Sequence, residues 1–125
     1  MEDKRLKNKN FFDAFGKALS GIWYSIKTQK NIRIQILIAI LVIIAGFIFK
    51  LSIIEWIFIC FAIMFVFITE VINTSIETVV DMYTKEYNEL AKIAKDVASG
   101  AVLLAAFNSV IVAALILIGR IIKGV

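Results

Sequence analysis

The chain has 125 residues, enough for one domain, and 61% of them are hydrophobic, well above the ~45–50% of soluble domains. It has no proline, no histidine and a single cysteine, Cys60, which excludes imidazole chemistry and a disulfide within the chain. The net charge is +4, and much of the excess lies before Ile34. Because this basic segment precedes a long apolar run, anionic lipid and cytoplasmic retention explain it better than nucleic acid does. The basic residues are Lys4, Arg5, Lys7, Lys9, Lys17, Lys27, Lys30 and Arg33.

The segment at about 11–27 predicts an amphipathic helix in the plane of the membrane surface. Apolar residues recur there at steps of three and four, with polar residues on the other side. Trp23 and Tyr24 are typical of the headgroup level. The apolar positions are Phe11, Phe12, Phe15, Leu19, Ile22, Trp23 and Ile26.

Three apolar segments predict membrane spans, at about 32–49, 53–83 and 96–118. The second is too long for a ~30 Å hydrocarbon core, so its last turns should emerge from the membrane. Lysine and arginine are dense before the first span and in the charged connection at 84–95, which places both on the cytoplasmic side. Arg120 and Lys123, at the far end, depart slightly from this rule.

A polar stripe on the second span is the strongest functional signal. Glu70, Asn73, Glu77 and Asp81 are spaced i, i+3, i+7 and i+11, so on an α-helix they fall within roughly 80° of one another. Apolar residues surround Glu70 and Asn73 in sequence. Ionisable side chains are costly in hydrocarbon, and membrane helices keep them mainly for function.

A second polar cluster follows the connection, where Lys92, Lys95, Asp96 and Ser99 share a helical face. The short connection makes the two helices antiparallel, which brings both polar faces to the same membrane level. Carboxylates and a lysine suit phosphoryl transfer, since acidic oxygens hold Mg²⁺, lysine neutralises phosphate charge, and another carboxylate removes a proton. The same side chains could instead form a proton or cation path, so spacing alone leaves both functions open.

Two longer stretches carry a family resemblance. The sequence EVINTSIETVVD at 70–81, followed by EYNELAKIAKDVASGAVL at 86–103, resembles the signature of the small prokaryotic diacylglycerol kinase family. The likeness covers most of the chain, including GIW at 21–23 and KLSIIEW at 50–56. The KLSIIEW turn and the glycine of KDVASGAVL are more similar to the branch that phosphorylates undecaprenol than to the branch that phosphorylates diacylglycerol.

The resemblance implies an all-α integral membrane protein that forms homotrimers, with three transmembrane helices plus the N-terminal interfacial helix. It implies an ATP-dependent lipid kinase of the bacterial cytoplasmic membrane, multi-pass, with Mg²⁺ as cofactor. The N-terminus and the active sites, shared between neighbouring chains, would face the cytoplasm. Glu70 matches the general base, and Glu77 matches a Mg²⁺ ligand. The residues implied to contact the nucleotide or its metal are Asn73, Glu77, Asp81, Glu86, Tyr87, Asn88, Lys95 and Asp96.

Two positions depart from the family pattern. Aligning TQKN at 28–31 with the usual TERN places Gln29 where the family has a metal-ligating glutamate. An amide oxygen binds Mg²⁺ without a charge and therefore more weakly. Asn10 stands where some members have an arginine for the nucleotide.

The sequence thus predicts an undecaprenol kinase across 1–125. A diacylglycerol kinase is the first alternative. A conducting membrane oligomer and an inactive or regulatory family member, the latter motivated by Gln29, are the others.

Overall fold

Four α-helices form the part of the protein that the structure, a computed structural model, describes, residues 10–124. The helices are α1 (Phe11–Thr28), α2 (Lys30–Ile48), α3 (Ile53–Tyr83) and α4 (Glu89–Lys123). The structure therefore confirms the predicted all-helical architecture. The structure does not describe Lys4, Arg5, Lys7 and Lys9, four of the basic residues that were predicted to favour anionic lipid and cytoplasmic retention.

Helix α1 begins at a side-chain cap. The backbone N–H of Asp13 donates to Asn10 Oδ1 at 2.9 Å, which satisfies one of the unpaired N–H groups of the first turn. Asn10 therefore has a structural function here. Ser25 is the buried residue of α1, whereas most large apolar side chains of this helix stay exposed, Trp23 by 58%.

The turn between α2 and α3 is held by close packing and by a capping box. The Ser52 side chain accepts from the Glu55 N–H at 3.2 Å, and the Ser52 N–H donates to Glu55 Oε1 at 2.9 Å. Gly46 lies against Trp56, whose ring also packs on Phe47 with centroids 5.0 Å apart. These contacts allow α2 to reverse into α3 within a few residues.

Helix α4 begins at Glu89, so the predicted charged connection at 84–95 is too long. Asn88 caps the helix, because its Oδ1 accepts from the Ala91 N–H at 3.0 Å. The charges in ELAKIAK do not interrupt a helix, since leucine, alanine, glutamate and lysine are all good helix formers. The charged residues therefore do not mark the start of α4. The capping residue Asn88 marks it.

An ion pair joins the first turn of α3 to the last turn of α4, at the end of the bundle far from the polar stripe. Arg120 donates to both carboxylate oxygens of Glu55, at 3.0 Å to Oε2 and 2.6 Å to Oε1, and also to the Lys50 carbonyl at 3.0 Å. Lys50 adopts a left-handed backbone, with φ of 55°.

Helix α3 lies at the centre of the bundle. It packs mainly on α4 and also contacts α1 and α2, whereas along residues 30–123 helices α2 and α4 do not pack on each other. Helices α2, α3 and α4 are long and apolar enough to cross a membrane. At ~1.5 Å per residue, α2 is about as long as a ~30 Å hydrocarbon core, and α3 and α4 are longer. At most 22% of the residues in their most apolar windows are buried inside the protomer, so most apolar side chains face outward.

Candidate active site

The polar stripe lies on one continuous face of α3 and becomes more exposed towards the end of the helix. Glu70 is only 1% exposed, and Asn73 is also buried. Glu77 is half-buried and Asp81 is exposed. The stripe therefore runs from the interior of the bundle to the surface near Tyr83.

Two polar atoms of this stripe are buried without a partner. Asn73 Nδ2 donates to Glu77 Oε1 at 2.6 Å, which orients both side chains. Glu70 Oε1 and Asn73 Oδ1 are both buried and accept no hydrogen bond within the protomer. Since buried oxygens are nearly always paired in folded proteins, these two oxygens indicate a place for a ligand.

Asn31, in the first turn of α2, lies near the Glu70 carboxylate. Sequence reasoning missed this residue because the contact joins two helices. Its position, two residues after Gln29, was the only available signal. Gln29 itself is the single extended residue between α1 and α2, and its side chain does not cap α2.

The second polar cluster joins α4 to the stripe. Lys95 Nζ lies 2.8 Å from Asp81 Oδ1, and Lys92 Nζ lies 2.6 Å from Asp96 Oδ2. Glu77 lies close enough to interact electrostatically with both Lys95 and Glu70. Charged groups thus continue from the buried end of the stripe to the surface of α4.

A polar cleft of about 250 Å³ lies beside this cluster, at the α3–α4 connection. It brings together five residues that the resemblance assigned to the nucleotide, namely Glu86, Tyr87, Asn88, Lys95 and Asp96. Tyr87 is 82% exposed, so its ring is free to stack on a planar ligand. The Oδ1 of Asn88 is already used for the helix cap, which leaves its amide N–H groups for a ligand.

A separate apolar cleft of about 460 Å³ opens between α3 and α4. Asn73 and Thr69 line it on α3, and small α4 residues, among them Ala98 and Ala101, line it on the other side. Asn73 therefore lies at the edge of an apolar space.

The oxygen ligands of the stripe fit a hard divalent cation. Within residues 10–124, no three acidic, cysteine or histidine side chains gather as a complete metal site. Mg²⁺ does not require one, because proteins often hold it with one or two carboxylates together with substrate phosphates. The carboxylate of Glu77, next to the unpaired oxygens of Glu70 and Asn73, meets that requirement.

Comparison with known proteins decides the family. The sequence profile of prokaryotic diacylglycerol kinase matches residues 16–117. The chain belongs to the prokaryotic diacylglycerol kinase family. This family membership, together with three membrane-spanning helices, makes the protein a multi-pass membrane enzyme of the lipid kinase class.

Individual relatives carry two different names. The chain is 40% identical to an undecaprenol kinase from Bacillus subtilis (strain 168), over 95% of this chain and 97% of that protein. It is 41% identical to a diacylglycerol kinase from Synechocystis, over 87% of this chain and 63% of that protein. A diacylglycerol kinase from Escherichia coli (strain K12) is 48% identical over 50 residues, 40% of this chain and 41% of that protein.

Proposed function

We propose that this kinase transfers the γ-phosphoryl group of ATP to the hydroxyl group of undecaprenol at the cytoplasmic leaflet. The observation that carries the proposal is the Glu70 carboxylate, which is buried on a membrane-spanning helix and keeps an unpaired oxygen. The choice of acceptor is supported by 40% identity to an undecaprenol kinase over nearly the whole length of both chains.

Glu70 is the general base in this proposal. Its unpaired Oε1 accepts the proton of the lipid hydroxyl while the hydroxyl oxygen forms a bond to the γ-phosphorus. The bond between that phosphorus and the β–γ bridging oxygen breaks, and ADP leaves. Asn31 and Asn73 orient Glu70 and the acceptor, since both amides lie beside the buried end of the stripe.

The nucleotide occupies the polar cleft at the α3–α4 connection. Lys95 offsets phosphate charge, and its bond to Asp81 holds the ammonium group in place. Asp96 and Glu86 contact the nucleotide with Asn88, while the exposed Tyr87 ring covers the base. Glu77 and Gln29 would hold Mg²⁺, which when bound neutralises charge on the transferred phosphoryl group.

Assembly and orientation complete the proposal. The protein forms a homotrimer, with α1 lying in the cytoplasmic surface of the bacterial cell membrane and the N-terminus inside. The exposed apolar side chains of α1 support this placement. Asn108 is exposed on α4, in the middle of an apolar span, and a neighbouring chain would supply its hydrogen-bonding partner.

Diacylglycerol is the second candidate acceptor, favoured by the 41% identity to the Synechocystis diacylglycerol kinase. A regulatory role without turnover is motivated only by Gln29. Membership of a kinase family favours phosphoryl transfer over the conducting oligomer, which no finding supports.

Purified protein with labelled ATP and a panel of undecaprenol, diacylglycerol and ceramide tests the proposal. We expect undecaprenol to give the highest kcat/KM, and Glu70→Gln to abolish most of the transfer. Preference for diacylglycerol would overturn the acceptor. Transfer to none of the three lipids, with ATP still bound, would favour the regulatory role.

A further inference from the structure

The corner between α1 and α2 is unusually tight. Helix α1 ends at Thr28 and α2 begins at Lys30, so Gln29 alone changes the direction of the chain, with φ of −110° and ψ of 113°. Its N–H still donates to the Ser25 carbonyl at 2.9 Å. A one-residue connection leaves no loop to absorb changes in the angle between the two helices.

Arg33 closes this corner from the α2 side. Its Nη1 donates to the Ile26 carbonyl at 3.0 Å and to the Lys27 carbonyl at 2.8 Å. Both carbonyls belong to the last turn of α1, where a helix leaves its carbonyls without intrahelical partners. A cation at that end also interacts favourably with the helix dipole. One exposed side chain therefore ties the end of α1 to the beginning of α2.

Two residues of the candidate site lie at this corner. Gln29 is the corner residue itself, and Asn31, two positions later, is the neighbour of Glu70 on α3. A rotation of α2 that turned it against α3 would move Asn31 with respect to Glu70. The Arg33 bonds to the α1 carbonyls restrict the rotation of α2 relative to α1.

We propose that Arg33 is a positioning residue for phosphoryl transfer, because it fixes the α1–α2 corner that carries Gln29 and so holds Asn31 near Glu70. The effect of Arg33 on catalysis rests on the proposed kinase function. The effect of Arg33 on the angle between α1 and α2 does not depend on that function. Arg33 acts through these two residues and is not a catalytic residue.

Three variants distinguish the contribution of the Arg33 hydrogen bonds from that of its positive charge. Arg33→Gln removes the charge and shortens the side chain, so the two carbonyls lose their partner. Arg33→Lys keeps the charge and can still reach a carbonyl with its ammonium group. Lys30→Gln is the matched control. It removes another exposed cation from the first turn of α2, but Lys30 does not donate to the Ile26 and Lys27 carbonyls.

The distance between α1 and α2 can be measured independently of enzyme activity. Spin labels at Leu19 on α1 and Leu41 on α2, both exposed, report the interhelical distance in a Cys60→Ala background. Labelled protein in lipid nanodiscs, diluted with unlabelled protein, gives the distance within one chain. We expect a narrow distribution for wild type and Lys30→Gln, a broad one for Arg33→Gln, and an intermediate one for Arg33→Lys.

Kinetics on the same variants test the catalytic consequence. We expect Arg33→Gln to lower kcat by about tenfold or more, since small misplacements of catalytic groups carry costs of this order. The KM for ATP should change little, and half-maximal activity should require more Mg²⁺. Arg33→Lys should restore most of the loss.

A narrow distribution in Arg33→Gln, or an equal loss of kcat in Lys30→Gln, would overturn the proposal. If the wild-type chain transfers no phosphate, the proposed function fails, while the distance distribution still decides whether Arg33 holds the corner.

Discussion

At the scale of single residues, the chemistry depends on where each oxygen finds a partner. Glu77 accepts a hydrogen bond from the Asn73 amide at 2.6 Å, whereas Glu70, about two turns deeper, keeps a buried and unpaired oxygen. An unpaired buried carboxylate is expensive in a membrane helix, and a hydroxyl group of a lipid would satisfy it. This difference supports the proposal that Glu70 is the proton acceptor and Glu77 the metal ligand.

Replacing Glu70 by glutamine tests the base directly. Glu70→Gln keeps the size and removes the proton acceptor, so turnover should fall by about 10²-fold or more, the usual scale for a general base. Steady-state kinetics measure the fall, and size-exclusion chromatography verifies assembly. Glu89→Gln, which removes an exposed carboxylate at the start of α4, should leave turnover unchanged. Wild-type turnover in Glu70→Gln would exclude Glu70 as the base.

The metal position is tested by restoring a charge. Gln29→Glu adds a negative charge where the resemblance places a metal ligand, so half-maximal activity should require less Mg²⁺. Glu77→Gln removes a carboxylate from the stripe and should show the opposite, larger effect. Activity titrations with Mg²⁺ measure both shifts. An unchanged Mg²⁺ dependence in Gln29→Glu would mean that the alignment before α2 is misplaced.

At the scale of secondary-structure elements, the two ends of the bundle are held by different means. At the stripe end, the Lys95–Asp81 ion pair joins α4 to α3 and the Lys92–Asp96 pair lies within α4. Both pairs lie at the surface, so they contribute little to stability and orient side chains instead. At the opposite end, the α2–α3 turn combines Gly46 packing, the Ser52 capping box and the Arg120 bonds. The end opposite the stripe is therefore held by packing and capping in addition to an ion pair.

Gly46 is the clearest test of the turn packing. A Cβ atom at this position would lie 2.5 Å from Trp56 Cη2 and 2.8 Å from Cζ2, so Gly46→Ala requires the ring to move. Overpacking of this kind typically costs about 1–3 kcal/mol. Thermal unfolding in detergent should show a lower midpoint. Gly119→Ala, where nothing lies within 4 Å of the new Cβ, is the control and should match wild type or exceed it. Equal midpoints for both variants would refute the packing argument.

At the scale of the whole molecule, orientation in the membrane determines whether ATP can reach the site. The exposed end of the stripe and the polar cleft lie at the α3–α4 connection, and the α2–α3 turn lies at the other end of α3. Apart from Lys50, Arg120 and Lys123, all lysines and arginines lie before or at the start of α2 or near the α3–α4 connection, so they favour a cytoplasmic α3–α4 connection.

Cysteine labelling in intact cells tests this orientation, in a Cys60→Ala background. Ser52 is a poor labelling site because it caps α3, so the neighbouring exposed Ile53 is preferable. A membrane-impermeant maleimide should label Ile53→Cys from outside the cell. It should label Lys85→Cys only after permeabilisation. The reverse pattern would place the stripe away from cytoplasmic ATP and contradict the proposed function.

The sequence by itself determined the helices and the shared face of the stripe. Both depend on local periodicity, because residues at i, i+3, i+7 and i+11 of one helix share a face wherever that helix packs. The capping residues Ser52 and Asn88 are equally local, and reading them would have placed the α4 boundary correctly.

Only the tertiary structure decided which groups meet between helices. Asn31 beside Glu70, Lys95 on Asp81, Arg120 on Glu55 and Arg33 on the α1 carbonyls all depend on how one helix is rotated and shifted against another. That rotation is set by small residues such as Gly46 and by the conformation of Gln29 and Lys50 in the turns. Periodicity within one helix carries no information about it, because the same amphipathic face can pack at several angles and registers.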